Sequence, residues 1–186
     1  LTVNSINDVP IFSFVADQVI DEDTSLSISL EATDVDEDSL IYTANLLSGE
    51  GILSIDGQDI LFTPVSNWSG DVSIYVSVTD GDYTVEQSFN VVVSPVNDAP
   101  TAFDIIVTTN EDTSVSFDFE LADIDNELGE LNLLILNAQS LGQLEVDGFS
   151  AVYTPSDNLN GVETIEFKVT DGSLSSNTGF VTITIV

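Results

Sequence analysis

The sequence has no cysteine, no methionine and no histidine, and its one basic side chain is Lys168. Without cysteine there is no disulfide framework. Without histidine and cysteine, the usual ligand sets for zinc, haem and iron–sulfur clusters are missing. Ser-His-Asp and Cys-His nucleophile systems are missing for the same reason. One cation against 33 acidic residues leaves a formal net charge of −32 over 186 residues. Such a chain repels nucleic acid and anionic membrane surfaces, which bind through basic patches. No apolar run approaches the roughly 20 residues that span a bilayer. Nucleic acid and direct membrane insertion are therefore excluded as partners.

What is present is apolar as well as acidic. Hydrophobic residues make up 42% of the chain, and the mean hydropathy is +0.24. A disordered acidic tail combines high charge with few apolar residues, so this is not one. A compact chain of this charge repels itself unless something neutralises it. The composition suits a cation binder, or a chain kept soluble in high salt.

The chain repeats itself. Ile6-Asn7-Asp8-Val9-Pro10 recurs as Val96-Asn97-Asp98-Ala99-Pro100, an offset of 90 (97 − 7). Glu22-Asp23-Thr24 recurs as Glu111-Asp112-Thr113, and Asp34-Val35-Asp36 as Asp123-Ile124-Asp125, both at offset 89. Phe62-Thr63-Pro64 recurs as Tyr153-Thr154-Pro155, and Thr79-Asp80-Gly81 as Thr170-Asp171-Gly172, both at offset 91. The change from 89 to 91 places a net two-residue insertion around residues 126–133. Two domains are expected, 1–97 and 98–186. Leu1 to Asp8 matches Val91 to Asp98, so the first residues read as the tail and joint of a preceding repeat. The chain is accordingly expected to be part of a longer array. Proline fixes its own φ and pushes its predecessor into an extended conformation, so Asn-Asp-X-Pro reads as a stiff joint.

Within each repeat the pattern is that of short strands. Ser25 to Leu30 alternates with Leu26, Ile28 and Leu30 inward, and Val72 to Val78 alternates over its whole length. Ile11 to Val15 and Leu40 to Leu47 are further candidates. Asp56-Gly57, between Ile52–Ile55 and Ile60–Phe62, is a hairpin turn signal. Val85 to Val93 closes the unit. About seven strands per repeat, with no 3.6-residue period, predict an all-β fold of two tandem seven-stranded Greek-key sandwiches joined end to end.

An up-and-down path carries the acidic turns to the joints. Asp123, Asp125 and Asp171 fall at the pole of the second unit that faces Asn97 and Asp98. Glu22 falls at the far pole of the first unit, next to the same joint. Calcium takes 6–8 oxygens from carboxylates, carbonyls and amide side chains, which is what these segments offer. Asn7, Asp8, Asp34, Asp36 and Asp80 form the matching half-site of the first unit. Asp38 and Glu127 are additional candidates in the Asp-X-Asp turns, and Asp23 competes with Glu22.

With these motifs, nearly the whole chain resembles bacterial cadherin-like tandem repeats. The resemblance rests on the Asn-Asp-X-Pro joints and on the Glu-Asp-Thr, Asp-X-Asp and Thr-Asp-Gly turns. It implies that those elements coordinate Ca2+ between successive units, and that the chain is an extracellular, secreted or cell-surface spacer or adhesion segment. Two departures stand out. The joints lack the longer Asp-X-Asn-Asp-Asn-X-Pro string of animal cadherins, and Asn67-Trp68-Ser69-Gly70-Asp71 occupies the loop where those carry an Asp-Arg-Glu-type motif.

Other readings compete. An Asp-X-Asp loop or Asp98 can be a plain Asx-type turn, and Asp171 can be only a turn former. Paired acids can hydrolyse glycosides, but a catalytic pair has no reason to recur in every repeat, so no enzyme is expected. Exposed aromatics at Trp68, Tyr83 or Phe149 would favour a polysaccharide or other cell-surface ligand, or homophilic adhesion. Neighbouring repeats of the same chain are the expected partners.

Overall fold

The computed structural model describes residues 6–186. The expected match of Leu1–Ser5 to a preceding strand lies outside the described residues. The chain divides into two compact units, Leu1–Val96 and Asn97–Val186. Each is described separately below.

In the first unit the strands are β1 (Ile11–Phe12), β2 (Gln18–Asp21), β3 (Leu26–Ser29), β4 (Ala32–Thr33), β5 (Ile41–Ser48), β6 (Gly51–Asp56), β7 (Asp59–Pro64), β8 (Gly70–Thr79) and β9 (Thr84–Ser94). They form a four-stranded sheet, β2-β9-β8-β5, and a three-stranded sheet, β3-β7-β6, with β1 pairing β4 separately. The β6–β7 hairpin turns at Gly57, whose φ is 60°. That left-handed value is where glycine carries no Cβ penalty.

The first strand differs from expectation. Only Ile11–Phe12 is strand, and the chain then crosses to the other sheet, where β2 runs parallel to β9. Side chains make the crossing. Val15 N donates to Gln87 Oε1 at 3.0 Å, and Asn90 N donates to Asp17 Oδ1 at 2.7 Å. The second strand breaks likewise into β3 and β4. A parallel edge strand of four residues carries too short a period to stand out from the sequence.

Alternation on β7, β8 and β9 fills the core. Ile60, Phe62, Val72, Ile74, Val76 and Val91 are at most 1% exposed. Burying each such side chain contributes about 1.5–3 kcal/mol relative to leaving it in water.

The second unit repeats the scheme with β10 (Thr101–Ala102), β11 (Ile105–Thr109), β12 (Val115–Asp118), β13 (Leu121–Ala122), β14 (Asn132–Ile135), β15 (Gly142–Asp147), β16 (Ser150–Pro155), β17 (Gly161–Thr170) and β18 (Gly179–Ile185). Its sheets are β11-β18-β17-β14 and β12-β16-β15. A short 3-10 turn, Leu128–Glu130, falls in the stretch where the repeat spacing puts the insertion. Phe119 packs edge-on against Phe117 and Phe167, with centroids 5.4 and 4.8 Å apart. Lys168 lies between buried Phe167 and Val169, so alternation turns it to the outer face of β17.

The two cores differ at one pair of positions. Phe62 and Val72 of the first unit correspond, at offset 91, to Tyr153 and Glu163. Glu163 is 4% exposed. Its carboxylate accepts from Ser140 N at 2.8 Å, Leu141 N at 2.6 Å, Ser140 Oγ at 3.2 Å and Tyr153 Oη at 3.3 Å. These bonds fasten the segment between β14 and β15. Close approach also explains Gly142. A Cβ there would collide with Thr154 O and would meet Tyr153 Oη at 2.6 Å.

Candidate metal centres

In the first unit the Asn7-Asp8 joint is tied to two acidic turns. Asn7 Nδ2 donates to Asp80 Oδ2 at 3.0 Å, and Asp8 N donates to Asp36 Oδ2 at 2.8 Å. Asp34 Oδ1 shapes its own turn by accepting from Asp36 N at 2.8 Å and Asp38 N at 3.4 Å. Asp80 Oδ1 accepts from Asp82 N and Tyr83 N at 2.8 and 2.7 Å. Ligand atoms of Asp34, Asp36 and Asp38 lie within 4.8 Å of one another.

The electrostatics follow from that crowding. The amide of Tyr83, with those of Asp82 and Asn7, holds the Asp80 carboxyl below its ordinary value. Asp38 is pushed up, first by lost hydration and then by the charges of Asp34, Asp36, Asp80 and Asp82.

The second unit has the same circuit. Asn97 Nδ2 donates to Asp171 Oδ2 at 2.7 Å, and Asp98 N donates to Asp125 Oδ2 at 2.6 Å. Asp123 Oδ1 accepts from Asp125 N and Asn126 N, both at 2.9 Å. Asp171 Oδ1 takes the amides of Ser173 and Leu174 at 2.5 and 2.6 Å. The Asn97 amide, followed by those of Leu174 and Ser173, holds Asp171 below the usual carboxylate range.

Each turn thus uses one carboxylate oxygen to build itself and presents the other to the joint or, among the described residues, to no hydrogen-bond donor. Asp34 Oδ2, Asp123 Oδ2 and Asn126 Oδ1 are shielded from water and accept no hydrogen bond among the described residues. Buried oxygens are rarely left so, and each calls for an explanation. An oxygen-seeking cation supplies one. A plain solvated Asx turn does not, because its spare oxygen faces water. The donor set is all oxygen and mostly carboxylate, which fits a hard divalent cation.

Glu22 lies elsewhere in the first unit. It is 5% exposed, and its Oε1 accepts from Val96 N at 2.7 Å. Val96 is bonded to Asn97, so Glu22 grips the chain one residue before the joint. Asp23, its competitor, has φ 59° and accepts from Asn67 N at 3.1 Å. The second unit repeats this latch, Asp112 accepting from Asn158 N at 2.8 Å. Asp23 and Asn67 therefore brace two loops, and so do Asp112 and Asn158. Glu127 precedes the 3-10 turn, and its amide donates to Glu130 Oε2 at 3.2 Å.

Sequence reasoning did not single out Asn126 or Glu163. Asn126 sits in the insertion, where the offset is ambiguous and pointed to Glu127. The hydrogen bonds identify it instead: Asn126 N closes onto Asp123 as Asp38 N closes onto Asp34. Two signals mark Glu163 as buried: the alternation that it shares with Ile165, Phe167 and Val169 on β17, and its correspondence to Val72. Of the candidate aromatics, Trp68 packs against the first core and covers Gly70, whose Cβ would lie 2.8 Å from its ring. Phe149 packs against the second core. Tyr83 is 45% exposed.

Two sandwiches in tandem, each with joint-linked acidic turns, define an Ig-like, cadherin-like repeat protein. The family described as "Bacterial Ig domain" matches residues 7–92 and again 97–184. The chain belongs to that family. Human protocadherin-24 EC1-2 is similar in structure, with a TM-score of 0.59 at 20% identity over 97% of this chain and 99% of that one. Drosophila N-cadherin EC1-4 gives 0.54 at 16% identity, over 97% of this chain and 50% of the other. Protocadherin gamma B2 domains 3–6 give 0.53 at 17% identity, over 95% and 47%. Identities this low establish the shared fold alone. No curated protein sequence matches this chain.

Proposed function

We propose that the chain is a calcium-binding, calcium-rigidified spacer or adhesion segment of a larger bacterial surface or secreted protein. The observation that carries this reading is the solvent-shielded Asp Oδ2 left without a partner at the same turn of both units. Asn97, Asp98, Asp123, Asp125 and Asp171 would hold Ca2+ in the second unit. Asn7, Asp8, Asp34, Asp36 and Asp80 would do so in the first. Glu22 is the first unit's contribution to the joint at Asn97, through its grip on Val96.

The ion supplies charge. Carboxylates crowded as at Asp38 repel, and a divalent cation turns that cost into attraction. Extracellular modules of this kind hold calcium with Kd of roughly 10⁻⁴ to 10⁻³ M, a range matched to millimolar calcium outside cells. The role is mechanical and non-catalytic, and its partners are neighbouring repeats. Trp68 and Phe149 are half-buried against the two cores rather than presented as open platforms, which weakens the polysaccharide reading.

Paired spin labels, one in each unit, test the role. Calcium should narrow their distance distribution, and Asp98→Ala or Asp125→Ala should restore the broad one with both sandwiches still folded. A distribution indifferent to calcium would end the spacer reading.

A further inference from the structure

We propose that Asn126 is a neutral oxygen ligand of the second unit's centre, which makes the two centres of this chain unequal in charge. This rests on the calcium reading above. Three observations support it. Asn126 Oδ1 is shielded from water and accepts no hydrogen bond among the described residues, and it shares the turn with the equally unpartnered Asp123 Oδ2. Its amide donates to Asp123 Oδ1 at 2.9 Å, which fixes the residue against that carboxylate. The position that closes the corresponding turn of the first unit is an acid, Asp38, within 4.8 Å of Asp34 and Asp36.

A second substitution acts in the same direction. Asp82, whose charge reaches Asp38, is replaced at offset 91 by Ser173. The backbone role survives the change, since both residues donate their amide to the preceding Asp. What differs is one negative charge. At the positions whose amides close onto the turn aspartates, the first centre carries the carboxylates of Asp38 and Asp82 and the second an amide and a hydroxyl, while Glu127, the acid at offset 89 from Asp38, caps the 3-10 turn.

Affinity for calcium in oxygen sites is tuned by the count of charged ligands. A centre with a neutral oxygen binds more weakly and repels itself less when empty. The second centre is accordingly built to tolerate loss of its ion better than the first. The consequence is graded behaviour along an array: joints of the Asn126 type release calcium first and become hinges while acid-rich joints stay loaded.

Calcium titration of the whole chain by calorimetry, with thermal unfolding in chelator, tests the assignment on Asn126→Leu, Asn126→Asp and Ser173→Asp. Asn126→Leu should weaken the second centre by roughly ten-fold, the scale of one lost ligand. It should leave the calcium-free melting temperature unchanged or raised, because an unpaired buried acceptor has been removed. Asn126→Asp and Ser173→Asp should each tighten binding several-fold and lower the calcium-free melting temperature. If Asn126→Leu binds like the parent chain, the assignment is overturned and the calcium reading stands. It is equally overturned if Asn126→Leu destabilises the calcium-free chain, which would mark Asn126 as structural. If the parent chain takes up no calcium, both readings fall.

Discussion

Replacing Glu163 by valine should uncouple the two units in stability. The carboxylate holds two backbone amides, Ser140 N and Leu141 N, and the Tyr153 hydroxyl at a site 4% exposed. A buried donor left without its acceptor costs about 1–3 kcal/mol. Three such donors, with some relief as the segment reaches water, give a loss of about 3–5 kcal/mol. In a domain of this size each kcal/mol moves Tm by about 4–8 °C, so the second unit should melt more than about 12 °C early. Adding Tyr153→Phe recreates the Phe62/Val72 pair of the first unit and should recover about 1–2 kcal/mol. Denaturant melts read the two units separately. Trp68, the only tryptophan, reports the first unit by fluorescence, while circular dichroism reports both. The expected result is an unchanged tryptophan transition and an early second step by dichroism. A Glu163→Val loss below about 0.5 kcal/mol would refute the reasoning, being the ordinary surface-mutation range. So would strict additivity of the two changes, because contacting residues should couple.

Two pH effects have opposite signs. Burial, then the Glu163 charge, raises the Tyr153 phenol from 10.0 to about 12. Its stabilisation is complete below pH 10 and is lost as pH rises towards 12, by up to about 2–3 kcal/mol. Absorbance titration of tyrosine should show one late-ionising phenol, and Glu163→Gln should bring it earlier. Asp80 and Asp171 are held below 3.8, so their contribution is present above that pH and fades as pH falls through their lowered values. In calcium-free buffer, Asn97→Ala should therefore reduce the acid sensitivity of the second unit, read as Tm against pH. Gly70→Ala should displace the Trp68 ring and shift its emission, since the new Cβ would lie 2.8 Å from it.

Much of this architecture was legible because the chain carries two copies of it. Recurrence separated the Asp-X-Asp and Thr-Asp-Gly turns from ordinary polar loops, and alternation on β8 and β17 fixed which side chains fill each core. The parallel strands β2 and β11 were not legible. They are edge strands held partly by side-chain bonds such as Asp17 to Asn90, and a short run at an edge has little periodicity. Asn126 was hidden by the insertion, which blurs residue-to-residue correspondence where the turn closes. Glu163 was hidden because an acid on a strand reads as outward until its register is known. Its neighbours Ile165 and Phe167 point inward, and so does it. The turns themselves explain why their aspartates are uniform. Only a short carboxylate can cap its own turn with one oxygen and aim the other at the joint.

The central claim is that these paired turns take up calcium, and calorimetric titration of the chelator-stripped chain at low ionic strength tests it most directly. With Kd of roughly 10⁻⁴ to 10⁻³ M, 10 mM calcium should add about 1.4–2.7 kcal/mol per saturated centre. The account predicts saturable heat, a Tm rise of at least about 5 °C, and loss of the second unit's share of both on Asp123→Ala, with the first unit's share retained. It is contradicted by no heat, or by sodium chloride at equal ionic strength raising Tm just as much, which would make the −32 charge a matter of screening alone.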